Sequence, residues 1–192
     1  MKRVFIVHGW EFSPNMNWYP WLKKELTPKG FSVHTPEMPD TTAPRIDAWV
    51  KTLAKAVGTP TKNTYFVGHS IGCQAILRYL AKTKKEIGGI VLVAPWLTLT
   101  PEAMPDETYR ATAKPWLETP IDYAAVLQTT ANITAIFSDD DPYVSPDNIT
   151  FFKRHLNAAI IMDKGKGHFS AEEKVTRLPS ALKAVLSLAK PL

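Results

Sequence analysis

The chain has 192 residues, of which 45% are hydrophobic and 21% charged, with a net charge of +5. A length inside the usual range of about 100–200 residues per domain, at near-average composition, leaves no room for a second catalytic module and excludes a disordered chain. The basic residues are dispersed, densest at Lys23-Lys24 and at Lys82 with Lys84-Lys85; they read as solvated helix faces, so no nucleic-acid partner is expected.

In chain order, Val4 to Val7 is an apolar run too short for a signal-peptide core and reads as a strand. A helical pattern follows from Trp18 to Leu26, then a strand from Phe31 to His34, in which His34 reads as a partly buried structural residue. Arg45 to Val57 is helical, Thr64 to Gly68 a strand, Ser70 to Lys82 a helix and Gly89 to Ala94 a strand. Of the chain's 16 prolines, five cluster from Pro95 to Pro120, with Pro101, Pro105 and Pro115 between, and the segment reads as irregular, a short roof over a pocket. Asp122 to Thr129 and Asp147 to Leu156 read as helices, Ile133 to Phe137 and Ala158 to Met162 as strands, and a last helix runs from about Val175 to Ala189.

This alternation of short apolar runs and amphipathic helices predicts a doubly wound α/β sheet of about six parallel strands with helices on both faces, in a single domain spanning residues 1–192. The runs are apolar almost throughout, as strands covered on both faces must be. No stretch approaches the roughly 18–20 apolar residues of a membrane helix, so no membrane partner is expected. The single cysteine, Cys73, cannot form an internal bridge, and a reducing, cytoplasmic location is expected.

The strongest chemical signal is Gly68-His69-Ser70-Ile71-Gly72, a G-x-S-x-G sequence at the junction of a predicted strand and a predicted helix. A serine on such a turn is forced into a strained conformation that exposes its hydroxyl, while the helix N-terminus offers free N–H groups to a developing oxyanion. Ser70 is therefore the expected nucleophile. Its base must come from a later strand end. Of the five histidines, His168 in Gly165-Lys166-Gly167-His168-Phe169 follows the last strand and is the expected base. His8 is expected to shape its loop, His69 to point away from the hydroxyl, and His155 to meet a helix dipole or solvent.

The third member should be a carboxylate that fixes the imidazole tautomer. Ser138-Asp139-Asp140-Asp141-Pro142 offers three candidates. Asp141, biased to an extended conformation by the following proline, is favoured over Asp140, with Asp139 and Asp140 available to cap the turn. No spaced acidic ligand set accompanies the run, so no metal is expected, and no phosphate-cradling glycine loop or other cofactor motif is present. The oxyanion donors are expected to be the backbone N–H groups of Ile71 and of Trp10, the latter in His8-Gly9-Trp10-Glu11 after the first strand. Trp10, Trp96 and Trp116 are expected to line the pocket, and Cys73, inside a helix with nothing to lower its pKa, to pack.

These residues resemble the small, nearly capless α/β-hydrolases called YdeN-like, which include retinoblastoma-binding protein nine. The resemblance rests on His8-Gly9, Trp18 with Trp21-Leu22-Lys23-Lys24, Met38-Pro39, Gly68-His69-Ser70, Asp140-Asp141-Pro142 and Gly167-His168-Phe169, and spans nearly the whole chain. It implies an α/β-hydrolase fold without a large cap domain, with Ser70 as nucleophile, Asp141 as acid and His168 as base. Family members have been associated with esterase activity on short model esters and with aminopeptidase activity.

A serine hydrolase acting on small carboxylic esters is therefore expected. An amidase or aminopeptidase using the same three residues is the alternative; it would need a carboxylate for the substrate ammonium, for which Glu11 and Glu37 are candidates. A protein-binding module on the hydrolase fold is the non-enzyme alternative, against which an intact Ser-Asp-His set argues. The expected partner is a small ester or amide substrate rather than another protein.

Overall fold

The computed structural model describes residues 1–190. Six strands, β1 (Lys2–Val7), β2 (Phe31–His34), β3 (Thr64–His69), β4 (Gly89–Val93), β5 (Ile133–Ser138) and β6 (Ala159–Asp163), form one sheet in the order β2-β1-β3-β4-β5-β6. Every adjacent pair is parallel. The helices are α1 (Tyr19–Leu26), α2 (Ile46–Val57), α3 (Ile71–Lys82), α4 (Glu107–Glu118), α5 (Tyr123–Thr129), α6 (Asp147–Leu156) and α7 (Pro179–Leu188). Contacts group α1 with α7, and α2 with α3, α3 with α5 and α5 with α6. Parallel strands need crossovers of one hand, and the reversal of direction after β2 puts these two groups on opposite faces.

β3 and β4 are buried along their whole length, as mostly apolar strands covered on both faces must be; β3 buries Thr64 and His69 as well. The edges differ. β6 is half-exposed, with Met162 43% accessible, and His34 at the end of edge strand β2 is exposed. His34 is thus not the partly buried residue expected: as an edge residue its imidazole stacks on Phe5 and meets the Ser32 hydroxyl at 2.9 Å. The final helix starts four residues later than its periodicity suggests, because Pro179 presets the first helical turn and keeps Leu178 out of the helical region.

The segment from Pro95 to Pro120 is irregular only in its first half. It contains a single 3-10 turn at Pro101–Ala103 and then the twelve-residue helix α4. Asp106 caps that helix by accepting from Thr108 N at 2.9 Å and Tyr109 N at 3.1 Å. Pro115 lies inside it and removes one backbone hydrogen bond, a loss offset by burial of Ala113 and Trp116. Among the described residues no helix is long and apolar enough to cross a membrane.

Register decides what meets at the carboxyl ends of the strands. Val7 pairs with Gly68, so His8-Gly9 leaves the sheet beside His69-Ser70. Ser138 pairs with Asp163, so Asp139 to Asp141 leave beside the loop that carries His168. The first pair flanks the point where the connections diverge, the place where open α/β sheets form crevices.

Candidate active site

Ser70 sits between β3 and α3 with φ 53° and ψ −125°, a backbone conformation that costs a non-glycine residue of order 1–3 kcal/mol. The flanking glycines permit it. A Cβ at Gly68 would lie 2.8 Å from the Cys73 backbone, and one at Gly72 would overlap the Val7 carbonyl, so α3 could not then reach the end of β1. The turn is tied to the next strand by Ser70 N–H donating to Val93 O at 2.9 Å.

His168 lies 27 residues beyond Asp141, and its Nδ1 meets Asp141 Oδ2 at 2.9 Å and Oδ1 at 3.1 Å, with both side chains buried. Asp141 Oδ1 also accepts from the Tyr143 and Val144 N–H groups, which fixes the carboxylate. With Nδ1 donating to a carboxylate, Nε2 holds the free lone pair. Ser70 and His168 line the same cavity, of about 310 Å³, with Trp10, Phe12, Trp96 and Tyr109 among its walls. No direct hydrogen bond joins Ser70 Oγ to His168 among the described residues; the hydroxyl oxygen instead accepts from Trp96 Nε1 at 3.2 Å.

The neighbouring aspartates hold the loop on which His168 is mounted. Asp139 Oδ1 accepts from Gly165 N at 2.9 Å, while Asp140 Oδ1 accepts from Gly167 N at 2.8 Å and from Ser138 Oγ at 2.6 Å. The Ser138 hydroxyl and then the Gly167 N–H hold the Asp140 carboxyl below its usual pKa. Sequence reasoning missed Glu173, whose two oxygens accept from His168 N at 2.7 Å and Ser170 N at 2.8 Å. Its only signal is an acid five residues past the histidine.

Two other histidines are buried and neutral, and they brace the site. His8 Nδ1–H donates to Gly9 O at 2.9 Å while Nε2 accepts from Met38 N at 3.1 Å, and burial lowers its pKa. His69 turns away from the Ser70 hydroxyl as expected. Its Nε2–H donates to His168 O at 2.7 Å, and its Nδ1 accepts from the Tyr19 hydroxyl at 2.6 Å. Tyr19 in turn accepts from Gly9 N and Asn17 Nδ2. Burial, then the neighbouring His168, hold the His69 pKa well below its usual value. This chain of bonds joins the Gly9 loop to the backbone of His168, and the strand patterns gave no sign of it.

Gly9 packs against Ser70, a Cβ there falling 3.4 Å from Ser70 Cβ. The N–H groups of Trp10 and Ile71 have no protein acceptor among the described residues. Trp10 and Trp96 line the cavity as expected, but Trp116 does not. It is 1% exposed, packs edge-on against Trp49 and donates from Nε1 to Pro44 O at 2.9 Å, because α4 turns its apolar face toward α2. Cys73 is buried with its thiol on Val93 O, and burial raises its pKa, which suits packing rather than reaction.

A doubly wound parallel sheet with a strained serine on the turn after its central strand, and no large cap, defines an α/β-hydrolase. The family model described as "Serine hydrolase" matches residues 4–187, and the chain belongs to that family. It is 33% identical to YdeN of Bacillus subtilis (strain 168) over 181 residues, 93% of this chain and 91% of YdeN. The crystal structure of the B. subtilis ydeN product matches with a TM-score of 0.88 at 30% identity, over 98% of each chain. Est1E from Butyrivibrio proteoclasticus shares the fold at 16% identity, with a TM-score of 0.71 over 97% of this chain and 88% of Est1E.

Proposed function

We propose that this serine hydrolase cleaves small carboxylic esters through an acyl-enzyme on Ser70, with His168 as general base and Asp141 as its orienting acid. The Ser70 oxygen attacks the ester carbonyl as its proton passes to His168 Nε2, and the N–H groups of Trp10 and Ile71 receive the oxyanion. Collapse expels the alcohol, which takes the proton from His168. Water then repeats the sequence on the acyl-enzyme, giving its proton to His168 and releasing the acid and free Ser70. The observation that carries this reading is the histidine held by Asp141 in the cavity that also exposes the strained serine. A cavity of about 310 Å³, at the small end of ligand pockets, favours short or aromatic acyl groups over long chains.

A second reading keeps the same three residues but takes an aminoacyl ester or amide. It is favoured by Glu11, which lines the cavity beside the Tyr109 hydroxyl and offers a carboxylate to a substrate ammonium. Glu37 is not among the lining residues.

A fluorophosphonate should label Ser70, and Ser70→Ala should abolish labelling and lower ester turnover by about three to six orders of magnitude. Labelling of the alanine variant at the wild-type rate would overturn the assignment. Parallel nitrophenyl ester and aminoacyl amide assays separate the two readings.

A further inference from the structure

The Trp96 indole is the hydrogen-bond donor to the nucleophile's own oxygen, a role separate from lining the pocket. We propose that its N–H is a catalytic group, which directs the Ser70 proton toward His168 and stabilises charge on Oγ while the bond to the acyl group forms and breaks. The proposal rests on the reading of Ser70 as nucleophile.

Three observations support it. Trp96 is 1% exposed, and Ser70 Oγ, at 3.2 Å, is the acceptor of its Nε1–H. Buried indole N–H groups usually find such a partner, although Trp18 Nε1 has none among the described residues. A second observation is backbone strain beside it: β4 ends at Val93, and the next residue, Ala94, has φ 46°, a positive φ like that of Ser70 just past the adjacent strand β3. Two strained non-glycine residues on neighbouring strand ends are the kind of backbone distortion that persists at working sites.

The third observation is how firmly the backbone that carries the indole is held. α3, which starts directly after Ser70, presents Gln74 and Arg78 one turn apart on one face. Gln74 Nε2 donates to Trp96 O at 3.1 Å, and Arg78 Nη2 donates to Gln74 Oε1 at 2.9 Å. Arg78 also donates to the carbonyls of Trp116 and Thr119 at the end of α4. On the other side Asn148 Oδ1 accepts from Leu97 N at 2.7 Å and Thr98 N at 3.2 Å. Trp96 is thereby fixed relative to the helix that carries Ser70.

The hydroxyl oxygen accepts from the indole with one lone pair, so its own hydrogen points elsewhere. The His168 Nε2 lone pair lies in the same cavity to receive it. During attack the O–H bond breaks, the proton goes to Nε2 and the Oγ electron pair forms the bond to carbon. In deacylation the carbon–Oγ bond breaks and Oγ recovers a proton from His168. The indole N–H is neither gained nor lost. As Oγ carries charge in both steps, the hydrogen bond becomes charge-assisted and stronger in the transition state than at rest.

The test replaces Trp96 by β-(3-benzothienyl)alanine, which keeps the bicyclic shape and exchanges N–H for sulfur, alongside Trp96→Phe, and measures the rate constant for fluorophosphonate labelling with thermal unfolding as a folding control. The isostere should fold like the wild type and label at least about fivefold and up to a hundredfold more slowly. A smaller loss in the isostere overturns the proposal, as does a loss confined to Trp96→Phe, which would trace to ring shape. If peptide mapping finds that the wild-type protein is not labelled on Ser70, the proposed nucleophile itself falls. If Ser70 is labelled and the isostere matches the wild type, only the role of the indole falls.

Discussion

At the scale of single residues, three consecutive aspartates do different work on one loop. Asp139 and Asp140 each accept a backbone N–H, from Gly165 and Gly167, whereas Asp141 meets the His168 imidazole. An asparagine keeps a carbonyl oxygen for an N–H donor but places a neutral amide beside Nδ1 and releases the tautomer. Asp141→Asn should therefore lower kcat by about four orders of magnitude, and Asp139→Asn and Asp140→Asn by less than about tenfold, since a backbone hydrogen bond contributes about 1 kcal/mol. Steady-state ester kinetics on the three variants check this, and a severe Asp140→Asn would move the acid one position earlier. The motif and chain order made Ser70, Asp141 and His168 legible as candidates because their chemistry requires strand ends. Glu173, Tyr19 and the indole N–H of Trp96 were not legible. Their partners are a backbone amide, a buried imidazole and a hydroxyl brought close by tertiary packing, which leaves no local pattern.

At the scale of elements, the sheet was legible because its strands are short, mostly apolar runs between amphipathic helical patterns; β2 runs from Phe31 to His34, end for end as its sequence suggests. α4 was missed because its prolines outweighed Asp106 as a cap and the i, i+4, i+7, i+8 spacing of Tyr109, Ala113, Trp116 and Leu117. The same error put Trp116 in the pocket. Its indole packs on Trp49, lies under the Arg78 guanidinium at 5.8 Å and donates to Pro44 O, so it fastens α4 to α2 and α3. Trp116→Ala should cost about 3–5 kcal/mol of stability, read as a lower urea midpoint, while leaving the preference among short acyl esters unchanged. A shifted acyl preference at unchanged stability would return Trp116 to the substrate.

At the scale of the whole molecule, the site is built on neutral imidazoles, and this sets how the fold responds to acid. His8 and His69 are both buried, each with one nitrogen donating and the other accepting, and burial is the first cause holding both pKa values below normal. In the unfolded chain each titrates near about 6.5. Below that pH the unfolded state binds protons that the folded state refuses, so stability rises with pH in this window and is lost as pH falls through about 6.5 toward the depressed folded values. Each fully titrating group contributes a slope of about 1.4 kcal/mol per pH unit. His34, also depressed but exposed at the sheet edge, adds little because solvent screens it. Urea denaturation at pH 7.5, 6.5 and 5.5, above the range where most carboxylates titrate, should give a small loss between the first two and a clearly larger one between the second and third. Protonating either imidazole also sets an N–H against an existing donor, Met38 N for His8 and the Tyr19 hydroxyl for His69, so the Gly9 loop and the His168 loop should loosen together. Constant stability from pH 7.5 to 5.5 would mean that neither histidine is held neutral by the fold.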